Sequence, residues 1–526
     1  MKRLLMLFVA LGVVMIFGGM AVAATLEDLE KQLQDIQKQI LQMKEEKQRQ
    51  DQKLREVEAA QAAQKEEVKR EAASLREQAR RVSSELAERV KIGGYGSVRF
   101  ESNSLKEQSS TFTFRRFVLT ADAKPADPMR VYLELEFERF TQLELERTTR
   151  PEAGGLRVSE AIEGTDGSEI SIEQLWFQYD LYPWLKFRTG QVLVPRGRFN
   201  INHDDNRWNI ARRSLVDRGV PVLPVKAAWP ELGAGFLGDI PLGEMGKLTY
   251  QAYVINGVAL DAEVEKVVQA RRKDTQKLEL EAEFRPSRGT AKLDVKDSKA
   301  VATRIAWSPF PGQEIGGSFY YGRYTPKFLS DESLIAFAVD GLTTIGPFEI
   351  EAEYVNTNFR NIDRVARSFA QVAVKKEAEN ESIDGGLEAE VEFGLAGLAR
   401  NKHGYWIEGR YRFWPEFLTP TIFGKYFENP QLIAILRGEQ VWLNGLVREA
   451  EFENGVLTNL EQENRQLYRV TAGLAYRPTP LVVFQLAYEY TKTDRGRSLA
   501  EVTNFLTAQG SEDDAHAVLV GVAFGF

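Results

Sequence analysis

Short segments in which apolar and charged residues strictly alternate recur from residue 91 to residue 526, and this pattern limits the possible folds more than any other feature. Four segments show it most clearly: 131–138, 348–354, 405–413 and 482–490. Successive side chains of a β-strand point to opposite faces, so each segment predicts a strand with one apolar and one charged face. A membrane barrel and a soluble sandwich both use such strands, and the alternation alone does not distinguish them.

The connections between the predicted strands do distinguish them. Every even-to-odd connection is a tight turn, as at Tyr182-Pro183 and Gly346-Pro347, whereas most odd-to-even connections are long. Short turns on one rim and long loops on the other are typical of membrane barrels. The sequence therefore predicts an all-β transmembrane barrel of about 16 antiparallel strands over residues 91–526, with both ends at the short-turn rim. The predicted strands are 91–102, 111–122, 128–140, 170–181, 184–194, 232–240, 246–257, 297–309, 312–324, 333–344, 347–358, 402–414, 417–427, 466–478, 480–493 and 514–526.

The polar segments 359–401 and 428–465 are predicted to be external loops, with helix-like patches such as Leu432–Leu436. The last predicted strand alternates up to Phe526, which resembles the insertion signal of outer-membrane proteins. We therefore expect a bacterial outer-membrane location and contact with outer-membrane lipid.

Residues 1–23 have the features of a secretory signal peptide. A basic start at Lys2 and Arg3 precedes an uncharged apolar stretch at 4–20 and an A-x-A site at 21–23. We expect export and cleavage after Ala23, which changes the formal net charge from −8 to −10 because Lys2 and Arg3 are lost. An uncleaved inner-membrane anchor is the alternative.

Residues 24–90 predict a periplasmic α-helical coiled coil. Residues 25–90 contain no Gly or Pro and are rich in good helix formers. Apolar residues follow the spacing of a coiled-coil seam at Leu26, Leu29, Leu33, Ile36, Ile40 and Met43. Polar residues interrupt the seam further along, so a single solvated helix stays an alternative.

The composition excludes several classes of site. The chain has no cysteine, which excludes a disulfide scaffold, thiolate metal sites and cysteine catalysis. Its three histidines, His203, His403 and His516, have no spacing typical of a catalytic triad or a metal site. We therefore predict no metal site and no cofactor. The net charge of −8 does not favour nucleic-acid binding.

The segment that ends the fifth predicted strand, Gly190–Gly197, reads G-Q-V-L-V-P-R-G and leads into a loop rich in arginine. Three acids of the loop are Asp204, Asp205 and Asp217. Its six arginines, our candidates for a pore constriction or an anion-binding site, are Arg196, Arg198, Arg207, Arg212, Arg213 and Arg218.

This G-Q-x-x-V-P-x-G pattern resembles the phosphate-selective porin O and P family, although that family usually has an aromatic residue at the position of Arg196. The resemblance implies a sixteen-stranded, trimeric outer-membrane porin whose third loop folds into the lumen and narrows the pore. It implies passive diffusion of small hydrophilic solutes. Our hypothesis is that the pore prefers anions such as phosphate. The alternative is that the loop arginines only tie the loop to carboxylates of the wall.

The alternation also predicts which charged residues face the lumen. The predicted acids are Glu134, Glu136, Glu138, Asp180, Glu349, Glu351, Glu353, Glu408 and Glu489, and the predicted bases are Arg116, Lys186, Arg188, Arg304, Arg410, Arg412, Arg469 and Arg477. The wall is thus nearly balanced in charge, and opposite charges on neighbouring strands can pair. Selectivity would then depend on the constriction.

Two other classes of function stay open. A barrel enzyme would need Ser, His and acidic groups together at the rim, and the histidine positions do not favour one. In a structural role, the coiled coil would link the barrel to the cell wall. No peptidoglycan-binding pattern is visible in residues 25–90, so such a tether would be indirect.

Overall fold

The computed structural model describes residues 31, 33–35, 37–38, 41–45, 47–49, 52, 65–77, 89–105, 110–138, 143–152, 155–164, 169–217, 222–225, 228–272, 275–287, 296, 298–380, 387–393, 399–499 and 512–526. The predicted signal peptide lies outside these residues. The described residues between 31 and 77 are helical, and their assembly as a coiled coil stays a prediction. Within the described part of the chain, no helix is long and apolar enough to cross a membrane.

All of the described strands belong to the compact unit Arg89–Phe526. They are β1 (Val90–Asn103), β2 (Thr111–Ala126), β3 (Met129–Glu138), β4 (Leu143–Glu152), β5 (Gly155–Gly164), β6 (Glu169–Tyr182), β7 (Leu185–Leu193), β8 (Pro230–Pro241), β9 (Lys247–Ile255), β10 (Ala259–Arg272), β11 (Thr275–Ser287), β12 (Ala300–Ser308), β13 (Gln313–Arg323), β14 (Ser333–Ile345), β15 (Phe348–Phe359), β16 (Leu387–Phe393), β17 (Ala399–Phe413), β18 (Gln431–Glu453), β19 (Val456–Thr479), β20 (Val482–Thr493) and β21 (Asp514–Gly525).

Sixteen of these described strands form a closed antiparallel barrel, which confirms the predicted fold. The order around the ring is β1, β2, β3, β6, β7, β8, β9, β12, β13, β14, β15, β17, β18, β19, β20 and β21. Pairing of β1 with β21 closes the ring. Closure leaves this ring with no free strand edge.

The two glycines Gly94 and Gly96 allow the ring to close tightly. The backbone of Gly94 exchanges two hydrogen bonds with that of Phe526, at 3.2 and 3.1 Å. A Cβ atom on Gly94 would lie 2.8 Å from the Phe526 ring, and one on Gly96 would lie 2.8 Å from the Phe524 ring. The aromatic residues of the last strand therefore lie over the glycines of the first.

The alternation of the sequence separates the two faces of the barrel wall. In β15, Phe348 and Ile350 are exposed on the outer face, whereas Glu351 and Glu353 are buried on the inner face. The same contrast recurs around the ring. In β17, for example, Ile407 is exposed on the outer face, whereas Glu408 and Arg410 are buried on the inner face. The outer face is thus apolar and the inner face carries the charges.

Beyond the long-loop rim, the sheet extends past the barrel. β18 and β19 have 23 and 24 residues, about twice what a membrane-spanning strand needs. The sheet continues beside the outer halves of these two strands. There β16 pairs with β18, β11 pairs with β16, and β10 forms a hairpin with β11. A helix, Ile362–Asn380, packs its apolar side against this extension through residues such as Phe369, which lies 6.5 Å from Phe393 between ring centres.

Two of the sequence predictions for residues 359–465 are wrong, and a third is right in part. Residues 417–427 are not a strand: they form a long turn between β17 and β18 that starts with a 3-10 helix at Glu416–Leu418. The predicted loop 428–465 is mostly β18 and β19, with Leu432–Leu436 in a strand. The predicted loop 359–401 does connect two barrel strands, β15 and β17, and contains a helix, but it also contains the unpredicted strand β16. One connection at the short-turn rim, 414–430, is therefore long.

Candidate functional site

The connection between β7 and β8 is called the inner loop, and its described residues, 194–217, 222–225 and 228–229, enter the barrel interior. It contains a single helical turn, α1 (Arg198–Ile201), and a 3-10 turn at Asp205–Arg207. Its apolar residues pack on the inner wall: the Trp208 ring lies 4.8 Å from Phe199 and 5.5 Å from Trp406 of β17, between centroids. Apolar packing therefore holds the middle of the loop inside the barrel.

The two glycines of the G-Q-x-x-V-P-x-G pattern make this inward turn possible. Gly190 has φ of 126° and Gly197 has φ of 64°, in the region that favours glycine. A Cβ atom on Gly190 would lie 2.3 Å from the Leu175 carbonyl oxygen, and one on Gly197 would lie 1.8 Å from Oε1 of Glu353. Any side chain at either position would clash with the wall.

The first two candidate arginines lie against β13 to β15. Arg196 is 1% exposed, and its Nη2 donates to the Asn356 carbonyl oxygen at 2.9 Å. Arg198 makes two ion pairs, from Nε to Glu351 at 2.5 Å and from Nη1 to Glu314 at 2.6 Å. Both guanidinium groups are therefore used to attach the loop to the wall.

The next pair lies against the opposite part of the wall. Arg212 pairs from Nε with Glu489 of β20 at 2.5 Å and from Nη2 with Glu101 of β1. Arg213 lies within the loop, 3.5 Å from Asp205 and, from Nη1, 3.6 Å from Asp217. Both arginines are buried.

Arg207 differs from the other described candidates, because its side chain is 60% exposed while pairing with Asp204 at 3.1 Å. It also donates to Oδ1 of Asn202 at 2.9 Å. Arg218 lies outside the described residues.

Wall arginines bind the loop through its backbone. Arg437 and Arg469 donate to the carbonyl oxygens of Arg212 and Arg213, each at 2.8 Å. Arg477 donates to the carbonyl oxygen of Asn206 at 2.9 Å. These three wall arginines, which could attract an anion, are therefore occupied by loop carbonyl groups.

The predicted wall residues of β12 to β17 form a chain of charge pairs. Arg410 binds Glu349 and Glu408 at 2.5 Å each and Glu351 at 2.7 Å. Arg412 also pairs with Glu349. On the neighbouring strands, Arg304 binds Asp340 at 2.8 Å. Glu353 accepts a hydrogen bond from the backbone N–H of Phe199 at 2.9 Å.

The predicted wall residues of β2 to β7 are also partnered. Arg116 pairs with Glu136 at 2.6 Å. Arg188 donates from Nη2 to Gln178 at 2.6 Å, and its guanidinium carbon lies 3.9 Å from the centre of the Trp176 ring. Glu134 accepts a hydrogen bond from the Gln174 amide at 2.6 Å.

The alternation of the sequence does not predict one residue of this wall, Glu173, to face inward. The pairing of β3 with β6 shifts register between Glu134 and Leu135, so Glu173 is the extra residue of a β-bulge. A bulge turns a side chain to the other face, and Glu173 is fully buried on the inner side. Its Oε2 lies 3.2 Å from Nε2 of His203, a residue of the inner loop. In the sequence, the outward-facing apolar residues Ile172 and Leu175 are three positions apart instead of two. This irregular spacing is the sequence signal of the bulge.

The surroundings of His203 favour a positive charge. Burial lowers the pKa of this imidazole, but the carboxylates of Glu173 and Asp204 outweigh burial and raise the pKa to about 9. His203 therefore belongs to a mostly acidic cluster formed by the loop and the wall.

No family model matches this chain. A protein of Aquifex aeolicus (strain VF5), known only as an uncharacterized protein, is 23% identical over 220 residues, which cover 42% of this chain and 39% of that protein. The chain thus matches about two fifths of the length of this relative.

Several solved structures are similar at low sequence identity. The in-vitro folded trimer form of OmpT, an outer membrane protein of Vibrio cholerae, is 11% identical with a TM-score of 0.42, over 83% of this chain and 100% of that one. An anion-selective porin from Comamonas acidovorans is 8% identical with a TM-score of 0.44, over 83% and 99%. OprB of Pseudomonas putida is 8% identical with a TM-score of 0.44, over 84% and 95%. At these values the similarities do not place the chain in a family.

Proposed function

We propose that this chain is an outer-membrane porin, a water-filled channel through which small hydrophilic solutes diffuse passively. The observation that carries the proposal is a closed barrel with an apolar outer face, a charged inner face and a loop held inside by the wall. An apolar outer face suits lipid and a charged inner face suits water. Passive diffusion needs no cofactor and no catalytic residue.

The experiment is conductance in planar lipid bilayers. Folded full-length protein should insert and produce discrete current steps in KCl. Protein that folds and inserts but passes no current would contradict the proposal. Arg212→Ala, which removes a buried loop anchor, should change the size or noise of the steps, and Arg323→Ala, an exposed pair with Asp331 outside the loop, should not.

We infer that the loop arginines mainly anchor the inner loop and that ion selectivity is weak. The pairing of Arg198 and Arg212 with wall carboxylates supports this role. Reversal potentials in a salt gradient should then lie near zero. A clear anion preference, with block by phosphate more than by chloride, would instead support the phosphate-like selectivity that the sequence resemblance implies.

We also propose a homotrimer whose residues 24–90 lie in the periplasm. Both ends of the barrel chain meet at the short-turn rim, where Gly94 pairs with Phe526, and short turns of membrane barrels face the periplasm. Cross-linking of protein in native membranes should give a trimer. Retention of full-length protein by purified cell-wall sacculi, lost when residues 25–88 are deleted, would favour the tether instead.

A further inference from the structure

An unassigned cluster of buried side chains joins the inner loop to the wall at β3 and β6. One ligand atom from each of Glu134, Glu173 and His203 lies within 4.8 Å of the other two, and all three residues are buried. Oδ1 of Asp204 lies 3.6 Å from Nε2 of His203. Three segments that are distant in sequence thus converge on one point.

Hydrogen bonding orients the imidazole toward the acids. Nδ1 of His203 lies 3.0 Å from the Asn200 carbonyl oxygen. A carbonyl oxygen can only accept, so Nδ1 carries the proton and Nε2 faces Glu173. In the neutral tautomer a lone pair on Nε2 then points at a carboxylate, an arrangement that requires a cation between them, either a proton or a metal ion.

One acid of the cluster has an oxygen without an N–H donor. Glu173 is fully buried, and no N–H or hydroxyl group of the described residues donates to its Oε1. A further carboxylate, Glu136, lies beside it and is paired with Arg116. A buried carboxylate oxygen without a donor is costly, and a bound cation would satisfy it.

We propose that His203, Glu173 and Glu134 bind a divalent transition-metal ion of the Zn²⁺ type, which clips the inner loop to the barrel wall. One imidazole nitrogen and two carboxylates are ligands that Zn²⁺ takes, and a solvent molecule would take the fourth position. The imidazole favours such an ion over Ca²⁺ or Mg²⁺, which prefer oxygen ligands alone. Metal binding displaces the proton of Nε2 to solvent.

The outer contacts of the cluster resemble those that support metal ligands in general. A ligating histidine usually donates its other ring N–H to a carbonyl or carboxylate, and ligating carboxylates are themselves hydrogen-bonded. His203 does the first with Asn200, and Glu134 does the second with Gln174 at 2.6 Å. The site does not depend on the channel proposal, because it needs only the folded barrel.

The test is metal binding to full-length protein in detergent, after removal of metal with a chelator. Titration with ZnCl₂ in a calorimeter should give one site per chain. His203→Gln and Glu173→Gln should each weaken binding by about 100-fold or more, since loss of a supporting contact alone costs 10- to 100-fold. His516→Gln is the matched control, because His516 is exposed on the outer face beside Asp514 and should leave the affinity unchanged.

Several results would overturn the proposal. These are no Zn²⁺ binding by folded protein, equal binding by His203→Gln, or loss of binding in His516→Gln. Equal binding of Ca²⁺ and Zn²⁺ would overturn the assignment to a transition metal. If the variants do not fold, Co²⁺ added to the unmodified protein still tests the site, because its visible spectrum reports nitrogen and carboxylate ligation. Conductance plays no part in these measurements, so their failure leaves the porin proposal standing.

Discussion

Two of the attachments between the inner loop and the barrel wall use cationic side chains of the loop, and they differ in their chemistry. Toward β13–β15, β20 and β1 the loop is held by guanidinium groups, of which Arg198 and Arg212 each bind two wall carboxylates. Toward β3 and β6 it is held through an imidazole, that of His203 facing Glu173. A guanidinium keeps its charge at any physiological pH, whereas an imidazole exchanges its proton for a metal ion. One attachment is therefore permanent and the other conditional.

The largest effect is expected from removing a permanent anchor. Arg212→Ala leaves Glu489 buried without its main charged partner, and breaking a buried ion pair from one side costs about 3–5 kcal/mol. The free energy of unfolding, measured by denaturant titration of the folded barrel, should fall by that amount. Arg323→Ala, from an exposed pair, should cost less than about 1 kcal/mol. Equal losses of unfolding free energy in both variants would mean that the buried loop anchor stabilises the protein no more than an exposed ion pair does.

The next effect concerns the conditional attachment. Zn²⁺ at 100 times its dissociation constant should stabilise the chelator-treated protein by about 2.7 kcal/mol. The same addition should not stabilise His203→Gln, which keeps all of the arginine anchors. A chelator should reverse the stabilisation in the unmodified protein. Equal stabilisation of both proteins by Zn²⁺ would place the metal elsewhere.

A smaller loss is expected when a shared carboxylate is neutralised. In Glu351→Gln, Arg410 still binds Glu349 and Glu408, and Arg198 still binds Glu314. The loss should therefore be about 1.5 kcal/mol in the free energy of unfolding, the scale of one hydrogen bond to a charged group. Glu388→Gln, exposed on β16, serves as the control and should cost nothing measurable. A loss as large as that of Arg212→Ala would show that the wall network acts as one unit.

The smallest effect on stability is expected at Arg207, whose side chain is mostly exposed. Arg207→Ala should change the free energy of unfolding by no more than about 0.5 kcal/mol. Among the described loop arginines this one is the most exposed, so its loss should shift the reversal potential slightly toward cations. A shift in the opposite direction would contradict a role for its charge.

The barrel was predictable because its strands must alternate to separate lipid from a charged interior. The failures have local causes. In β18, Ile433 and Ile435 face the apolar side of the inner loop instead of water, so Leu432–Leu436 is apolar on both faces and loses the two-residue period. The wrong strand at 417–427 contains Pro420, which lacks the N–H that a central strand needs.

The candidate site was less predictable than the fold. The sequence indicated an arginine-rich loop and the inward-facing acids, but left open whether these arginines bind anions or wall carboxylates. In the folded chain Arg198, for example, meets Glu314 and Glu351, more than 100 residues away. Spacing along the chain contains no information about such a contact.

By itself, the sequence determined the barrel and its two faces, because alternation acts over a few neighbouring residues, whereas the inward course of the loop after Gly190–Gly197 was only implied by a family resemblance. Only the tertiary structure decided which wall residues the inner loop contacts. The bulge at Glu173 reverses one side chain, and barrel closure brings it to His203 and Glu134. Ion pairing and metal binding depend on distances in space, and these are set when the ring closes around the loop.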